Sequence, residues 1–432
     1  MGRCGTPGMA GFSTENLLCG VSAGYGKACK TRAKIPSECF RVRIAAARHP
    51  RPGRWGLLLF LLLAMAMPRL QGQLSTEDHL AEPGFWPTQP AASRSDFVGP
   101  SACAACHAAK VASQSQTPMA RAVFHANDAK VLHTHPELTF SVGVYRYLIK
   151  SDGKHSLYTV TNGTQTLSSP LLWAFGTPRV GQSYLFKRDD GQFYEARVTY
   201  FESLQNLGFT PTRALASPKD VDEAMDRPVG SAEVSRCFGC HTTASTIGDK
   251  FDEENLILGV TCEACHGPGA KHVAAMKSFM KGNLDAAGHG DIFNSAHLSP
   301  IDSVEFCGAC HGTWWDVKIS GATGPATTRS APYRLVTSKC WGTGDARLTC
   351  IACHDPHEQL QTSSAAYDHA CLKCHVAAPG LKPTAERPGA ACPVATKNCA
   401  SCHMPKVYVP EMHSDFTDHR IRIVRAGEPF PE

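Results

Sequence analysis

Short helices and loops wrapped around stacked prosthetic groups, with a small antiparallel β insertion at about 138–201, is the fold class that this 432-residue sequence predicts. Three observations predict it. The pattern Cys-x-x-Cys-His occurs seven times, beginning at Cys103, Cys237, Cys262, Cys307, Cys350, Cys371 and Cys399. From Cys237 onward the motifs start only 21 to 45 residues apart, too close for separate domains and suited to one continuous stack. The 134-residue gap between Cys103 and Cys237 instead holds runs of Val, Tyr, Phe and Thr broken by Asp-Gly and Asn-Gly pairs, the mark of hairpins.

The motif has a chemical reason. Two thiols at this spacing can add across the two vinyl groups of a haem, and the next residue places an imidazole under the iron. Random placement of 20 Cys and 20 His in this length would give roughly 0.04 copies, so seven are not accidental. Zinc is the competing reading, because Cys-x-x-Cys knuckles also build structural zinc sites, though these rarely carry His after the second Cys in every copy. The sequence therefore predicts a multihaem cytochrome c with seven covalent haem c groups. The anchoring thiols are Cys103 and Cys106, Cys237 and Cys240, Cys262 and Cys265, Cys307 and Cys310, Cys350 and Cys353, Cys371 and Cys374, and Cys399 and Cys402. The proximal ligands are His107, His241, His266, His311, His354, His375 and His403.

Haem of this type is attached outside the cytoplasm, and residues 1–72 read as a leader in agreement. Basic Arg48, Arg51 and Arg54 precede an apolar run from Leu57 to Met67, which is shorter than the ~20 residues of a spanning helix but suits a secretory core. Ala64-Met65-Ala66 offers a small-x-small cleavage site. No Cys follows it closely, so no lipid anchor is expected, and the absence of paired arginines favours export of the unfolded chain. Residues 1–47 are long for such a leader and hold four Cys outside any motif, which points to a start placed too early, with a cytoplasmic extension as the alternative. The expected location is periplasmic or extracellular. Without residues 1–66 the chain keeps 33 basic against 36 acidic residues, so its net charge falls from +5 to about −3. No basic patch interleaved with aromatics points to nucleic acid.

Along the exported part, residues 73–98 read as a linker rich in Pro and Ser, 99–136 as a first haem segment, 137–205 as the β unit and 206–432 as a six-haem region. Strands are expected at 138–149, 156–161, 183–187 and 192–201, with turns at Asp152-Gly153, Asn162-Gly163 and Asp190-Gly191. A helix is expected near 270–281, where His272, Ala275, Met276 and Phe279 share a face. Gly and Pro richness leaves little side-chain core elsewhere, so haem faces would replace it and regular structure would be sparse.

Several stretches resemble the bacterial multihaem c-type cytochromes related to pentahaem nitrite reductase and hydroxylamine oxidoreductase. Gly259-Val-Thr-Cys262-Glu-Ala-Cys265-His266-Gly-Pro-Gly-Ala-Lys-His272 looks like that family's paired-haem segment, and the resemblance implies that His272 is the distal ligand of a different haem. Cys350-Ile-Ala-Cys353-His354-Asp-Pro-His357 looks like its doubled-motif form, with His357 in the corresponding role. The C-terminal Cys399-Ala-Ser-Cys402-His403-Met-Pro-Lys, followed by His413 and His419, is similar to seven-haem members. The resemblance covers about 99–425 and concerns haem attachment rather than a reaction. One departure matters: pentahaem nitrite reductases generally carry a Cys-x-x-Cys-Lys catalytic haem, and all seven motifs here end in His.

Further distal candidates are His135, His413 and His419, then His125, His133, His289, His297 and His369, each of the last five reading equally well as an ordinary surface or structural His. Met119, twelve residues after His107, reads either as a thioether ligand that would raise the first haem's potential or as a packing Met. Cys340 and Cys392 lie outside the motifs. In an oxidising compartment they are expected to form a disulfide, with thiolate ligation of a haem as the alternative.

Two functions follow. The favoured one is an exported electron carrier serving redox protein donors and acceptors, with self-assembly or a membrane complex left open. The alternative is an enzyme, a reductase or oxidoreductase acting on a small nitrogen or sulfur compound at one open haem. The abundance of spare His favours the carrier.

Overall fold

The structure, a computed structural model, describes residues 92–431 apart from 212–217, 248–249, 286–291, 342–343 and 377–380. The expected leader and cleavage site, most of the expected linker and His289 lie outside the described residues. Two different constructions share the described chain.

The first is an antiparallel sheet whose strand order is β10-β7-β6-β5-β4-β3-β2, with β1 paired to β5. Its strands are β1 Val123–His125, β2 Glu137–Val142, β3 Tyr145–Ser151, β4 Ser156–Thr161, β5 Thr166–Phe175, β6 Ser183–Lys187, β7 Phe193–Ala196 and β10 Asp226–Val229. A hairpin of β8 Val198–Phe201 and β9 Asn206–Phe209 packs against it. The expected turns explain the connections: Asn162 Oδ1 accepts from the N–H of Thr164 and Gln165, Asp152 Oδ1 from Lys154 and His155, and Gly153, Gly163 and Gly191 take left-handed φ.

This sheet is larger than the insertion expected at 138–201. It reaches back to Val123 and forward to Val229, and β5 is its longest strand. The sequence reading missed β5 because Ser168, Ser169 and Pro170 interrupt its apolar pattern. The sheet tolerates Pro170 because the strand changes partners there: Thr166 to Pro170 pair with β4, and Leu171 to Phe175 pair with β6 across an irregular register. The run expected as one strand at 138–149 is two, turned at Gly143. Tyr147, Ile149, Tyr158, Val160, Tyr184 and Phe186 fill the core beneath. A description as mainly helices and loops therefore understates the sheet.

The second construction is a series of short helices. Before and within the sheet lie α1 Gly99–Gln114, α2 Lys130–Thr134 and α3 Val221–Met225. After it come α4 Ser231–His241, α5 Cys262–His266, α6 Ala270–Met280, α7 Pro300–His311, α8 Trp314–Ser320, α9 Ala331–Val336, α10 Asp368–Cys371 and α11 Cys399–His403. The helix expected near 270–281 is α6. A last hairpin pairs β15 Lys406–Val409 with β16 Ser414–Thr417, numbered after the four short strands β11 Thr242–Ala244, β12 Thr246–Ile247, β13 Lys250–Phe251 and β14 Ile257–Leu258. Among the described residues no helix is long and apolar enough to cross a membrane.

Candidate haem-binding site

Four of the motifs close a helix: α4, α5, α7 and α11 each end on the motif His. On the last helical turn the first Cys and the residues three and four positions on share one face, so both thiols and the imidazole point the same way. Gly267 and Gly312 then leave α5 and α7 with φ of 78° and 83°, which a side chain would resist. The first motif lies inside α1, where His107 departs from helical geometry. The fifth occupies a single 3-10 turn at Cys350–Ala352.

The imidazoles are oriented from behind. Nδ1–H of His241 donates to the Ala122 carbonyl (2.9 Å), that of His266 to Phe293 (2.7 Å), that of His375 to Ala390 (2.9 Å) and that of His403 to Arg422 (2.8 Å). A carbonyl can only accept, so each Nδ1 carries the proton and each Nε2 keeps its lone pair, the arrangement of a ligating His. Gly389 allows the approach to His375: a Cβ there would stand 2.5 Å from Nδ1. Burial lowers the pKa of His241, His311 and His354, keeping these imidazoles neutral.

Two distal candidates face motif imidazoles. The rings of His266 and His357 have centres 6.1 Å apart and are nearly parallel, at 13°. His354 and His419 have the same 6.1 Å separation at 40°. Two imidazoles bound through Nε2 on opposite sides of one metal, with metal–nitrogen bonds of about 2.0 Å, would have ring centres about 6 Å apart. Both facing rings are held like the motif imidazoles, since His357 Nδ1 is bonded to Asp355 Oδ1 (2.8 Å) and His419 Nδ1–H donates to Thr417 O (3.0 Å). Burial, then the neighbouring His354, pushes His419 down to about 4.

The motifs meet out of chain order. The Cys103 thiol neighbours that of Cys262, and Cys240 that of Cys310, each skipping a motif, while Cys307 neighbours Cys350 and Cys371 neighbours Cys399. The Glu263 carboxylate, buried inside the third motif, accepts from the N–H groups of Val98, Gly99 and Gly269, pinning α1 beside α5. Lys110 on α1 reaches Asp355 at 3.0 Å, beside His354. Asp368 accepts from the N–H groups of Asn398 and Cys399, drawing the last two motifs together. Burial raises Cys237 to about 12 and Cys265 to about 11, so these thiols are protonated at neutral pH. Among the described residues no three His, Cys, Asp or Glu side chains converge as a tetrahedral zinc site requires. Facing imidazoles beside paired thiols fit haem instead.

Other candidates lie elsewhere. His413 has φ 45° and packs its ring against Phe201 at 4.7 Å, with Nε2 against Gly208, so it faces the β8–β9 hairpin. His125 stacks on Trp173 at 4.2 Å, and His135 lies 5.2 Å from Tyr200 with Nδ1 near Val131 O. His133 bonds Asn127 O through Nε2, the atom a ligand would need. His369 bonds Ala366 O, and His297 ends an exposed turn. Half-buried Met119 lies on a segment whose carbonyl accepts from Val260 N, so it stands by the approach to the third motif. His272 is half-buried on α6.

No disulfide joins Cys340 to Cys392, contrary to the expectation. Cys340 lies near Cys374 and Cys371, its thiol pushed up by burial, whereas Cys392 is turned toward the N–H groups of Ala395 and Val394, which lower it. The sequence reading also missed Asp355, Glu263 and the Arg334–Asp418 pair. Asp355 alone left a signal, standing between His354 and His357.

Comparison with known proteins bears on the family. The family described as cytochrome c554 and c-prime matches residues 209–267, which contain the second and third motifs. The multiheme cytochrome MtrA of Shewanella baltica (strain OS185) is 24% identical over 217 residues, covering 39% of this chain and 62% of the relative. The chain thus spans less than two thirds of that relative's length. The outer cell wall cytochrome OcwA aligns at 16% identity over 42% of this chain and 34% of its own, with a TM-score of 0.25. The family match and the MtrA relative support a multihaem c-type cytochrome with covalently bound haem c.

Proposed function

We propose that this protein is an exported cytochrome that holds seven haem c groups and relays electrons between redox protein donors and acceptors. When bound, each haem supplies an iron that is reversibly oxidised and reduced by one electron. The observation that carries the reading is the pair of facing imidazole couples, His266 with His357 and His354 with His419, each 6.1 Å apart. The motif thiol pairs would hold the porphyrin covalently, and His266 with His357 and His354 with His419 would supply the imidazoles that bind its iron. Irons held by two imidazoles would leave no site for a substrate at those two motifs, which favours transfer over chemistry there. Thiols of motifs one and three, two and four, four and five, and six and seven neighbour each other, so haems attached there would be near neighbours. We place the relationship to pentahaem nitrite reductase and hydroxylamine oxidoreductase within this proposal, without carrying over their reactions.

Denaturing mass spectrometry of the exported protein is expected to give the mass of the chain plus seven haems. The oxidised protein should be low-spin throughout, and carbon monoxide should leave the reduced spectrum nearly unchanged. Fewer haems would remove the count. A stoichiometric high-spin haem that turns over nitrite, hydroxylamine or tetrathionate would replace the carrier by the enzyme.

A further inference from the structure

The C-terminal segment from Pro405 to Pro431 closes on a buried charge cluster that lies outside both the motifs and the sheet. Arg334 on α9 and Asp418 have fully buried side chains joined by two hydrogen bonds, Nε to Oδ1 at 2.8 Å and Nη2 to Oδ2 at 3.0 Å. Arg334 Nη1 also donates to Pro431 O (2.9 Å), and its guanidinium lies 4.6 Å from the centre of the Phe430 ring. Asp418 accepts in addition from Arg422 Nη1 (2.6 Å) and Arg420 N (3.0 Å), while its own N–H donates to Pro405 O.

Desolvating such a pair costs about as much as its attraction returns, and apolar residues of similar volume often hold a fold equally well. Its use here is geometric. One residue beyond Asp418, His419 faces His354. Three residues further, the Arg422 carbonyl accepts from His403 Nδ1 and the Arg422 N–H donates to His403 O. Ser338, close to Arg334 in sequence, holds the stretch between them, donating from Oγ to His419 O and accepting from Ile421 N. A single strap therefore presents one imidazole to the fifth motif and one carbonyl to the seventh.

We propose that Arg334 and Asp418 are a positioning pair that fixes the register of this strap, and through it the distal ligand opposite His354 and the orientation of His403. The proposal rests on the haem reading above. Slippage by one residue would bring Asp418 or Arg420 opposite His354 and withdraw the carbonyl from His403. Without that carbonyl the proximal imidazole is a weaker base, so the potential of its iron rises.

The test uses the full exported holoprotein, with haem content fixed first by mass. His419→Ala is the reference and should create one high-spin haem that binds one carbon monoxide. Asp418→Asn should show a part of that same high-spin signal, returned to low-spin by added imidazole, and a second haem titrating at higher potential. Arg334→Lys, which keeps the charge but loses the fork, should show a smaller part. The triple variant Arg334→Met, Asp418→Leu and Arg422→Leu removes all three charges of the cluster and should fold, yet it too should be partly high-spin; it and Arg334→Lys decide if Asp418→Asn does not fold. Wild-type protein without haem overturns the haem reading and this proposal together. A high-spin His419→Ala beside wholly low-spin strap variants with unchanged potentials overturns the positioning pair alone.

Discussion

Between Ala122 and Ala244 the protein builds its core from side chains; beyond Ala244 it does not. Of 41 buried apolar residues among those described, 32 lie in the first stretch and nine in the second. Tyr147, Tyr158, Tyr184, Phe186 and Phe201, all nearly or wholly inaccessible, stack beneath the sheet. In the second region the buried places go to Glu263, Thr313, Arg334 and Asp418, and the motif thiols and imidazoles converge where Leu and Phe would otherwise stand. One chain has thus solved two packing problems. Hairpins bury their own apolar face, whereas the motif region lacks the apolar area to offset its ordering entropy unless porphyrin faces supply it.

The largest test of that contrast is to withhold the haem. Chain produced without haem attachment should keep the sheet and lose the rest, so limited proteolysis should leave a resistant fragment within about 120–235 while the motif region is degraded. Equal resistance along the whole chain would break the comparison, because the motif region would then possess a core of its own.

Single substitutions sharpen it from either side. Phe186→Ala, in the centre of the sheet core, should cost about 3–5 kcal/mol in unfolding while the haem bands stay low-spin up to the transition. His357→Ala should do the reverse, opening one iron to carbon monoxide with little change in the stability of the sheet. Denaturant melts followed separately by amide hydrogen exchange in peptides of the sheet and by Soret absorbance would distinguish the two. Coincident loss of both signals in both variants would show one cooperative unit instead of two constructions.

The same division governs what could be read from sequence. The turns at Asp152, Asn162 and Asp190 were legible because turn chemistry is local, and four Cys-x-x-Cys-His copies end helices because thiols and imidazole must share a face. β5 was hidden by Pro170, acceptable only where the strand exchanges partners, and β10 by its Asp226-Arg227-Pro228 sequence, suited to the sheet's edge. The distal candidates depended on resemblance, because bringing His266 to His357 or His354 to His419 requires contacts across 91 and 65 residues. His413 stood as strongly in sequence as His419, yet a left-handed residue at the β15–β16 turn aims it at Phe201.

The smallest expected effect is a pH dependence confined to the motif region. Glu305 on α7 has a buried Oε2 without a hydrogen-bond partner, and burial, with Asp316 and Asp302 nearby, pushes its carboxyl up to about 7. The folded value lies above the ordinary carboxyl range, so its contribution to stability is fully present below about 4.3 and is lost as pH rises through 7. Glu305→Gln removes the charge and with it the loss. Variant and wild type should melt alike near pH 4.5, and the variant should melt higher at pH 8, with the gain seen in Soret absorbance. A gap that is constant with pH, or largest in acid, would show that Glu305 is charged in the folded protein and has a partner in the haem-bound state.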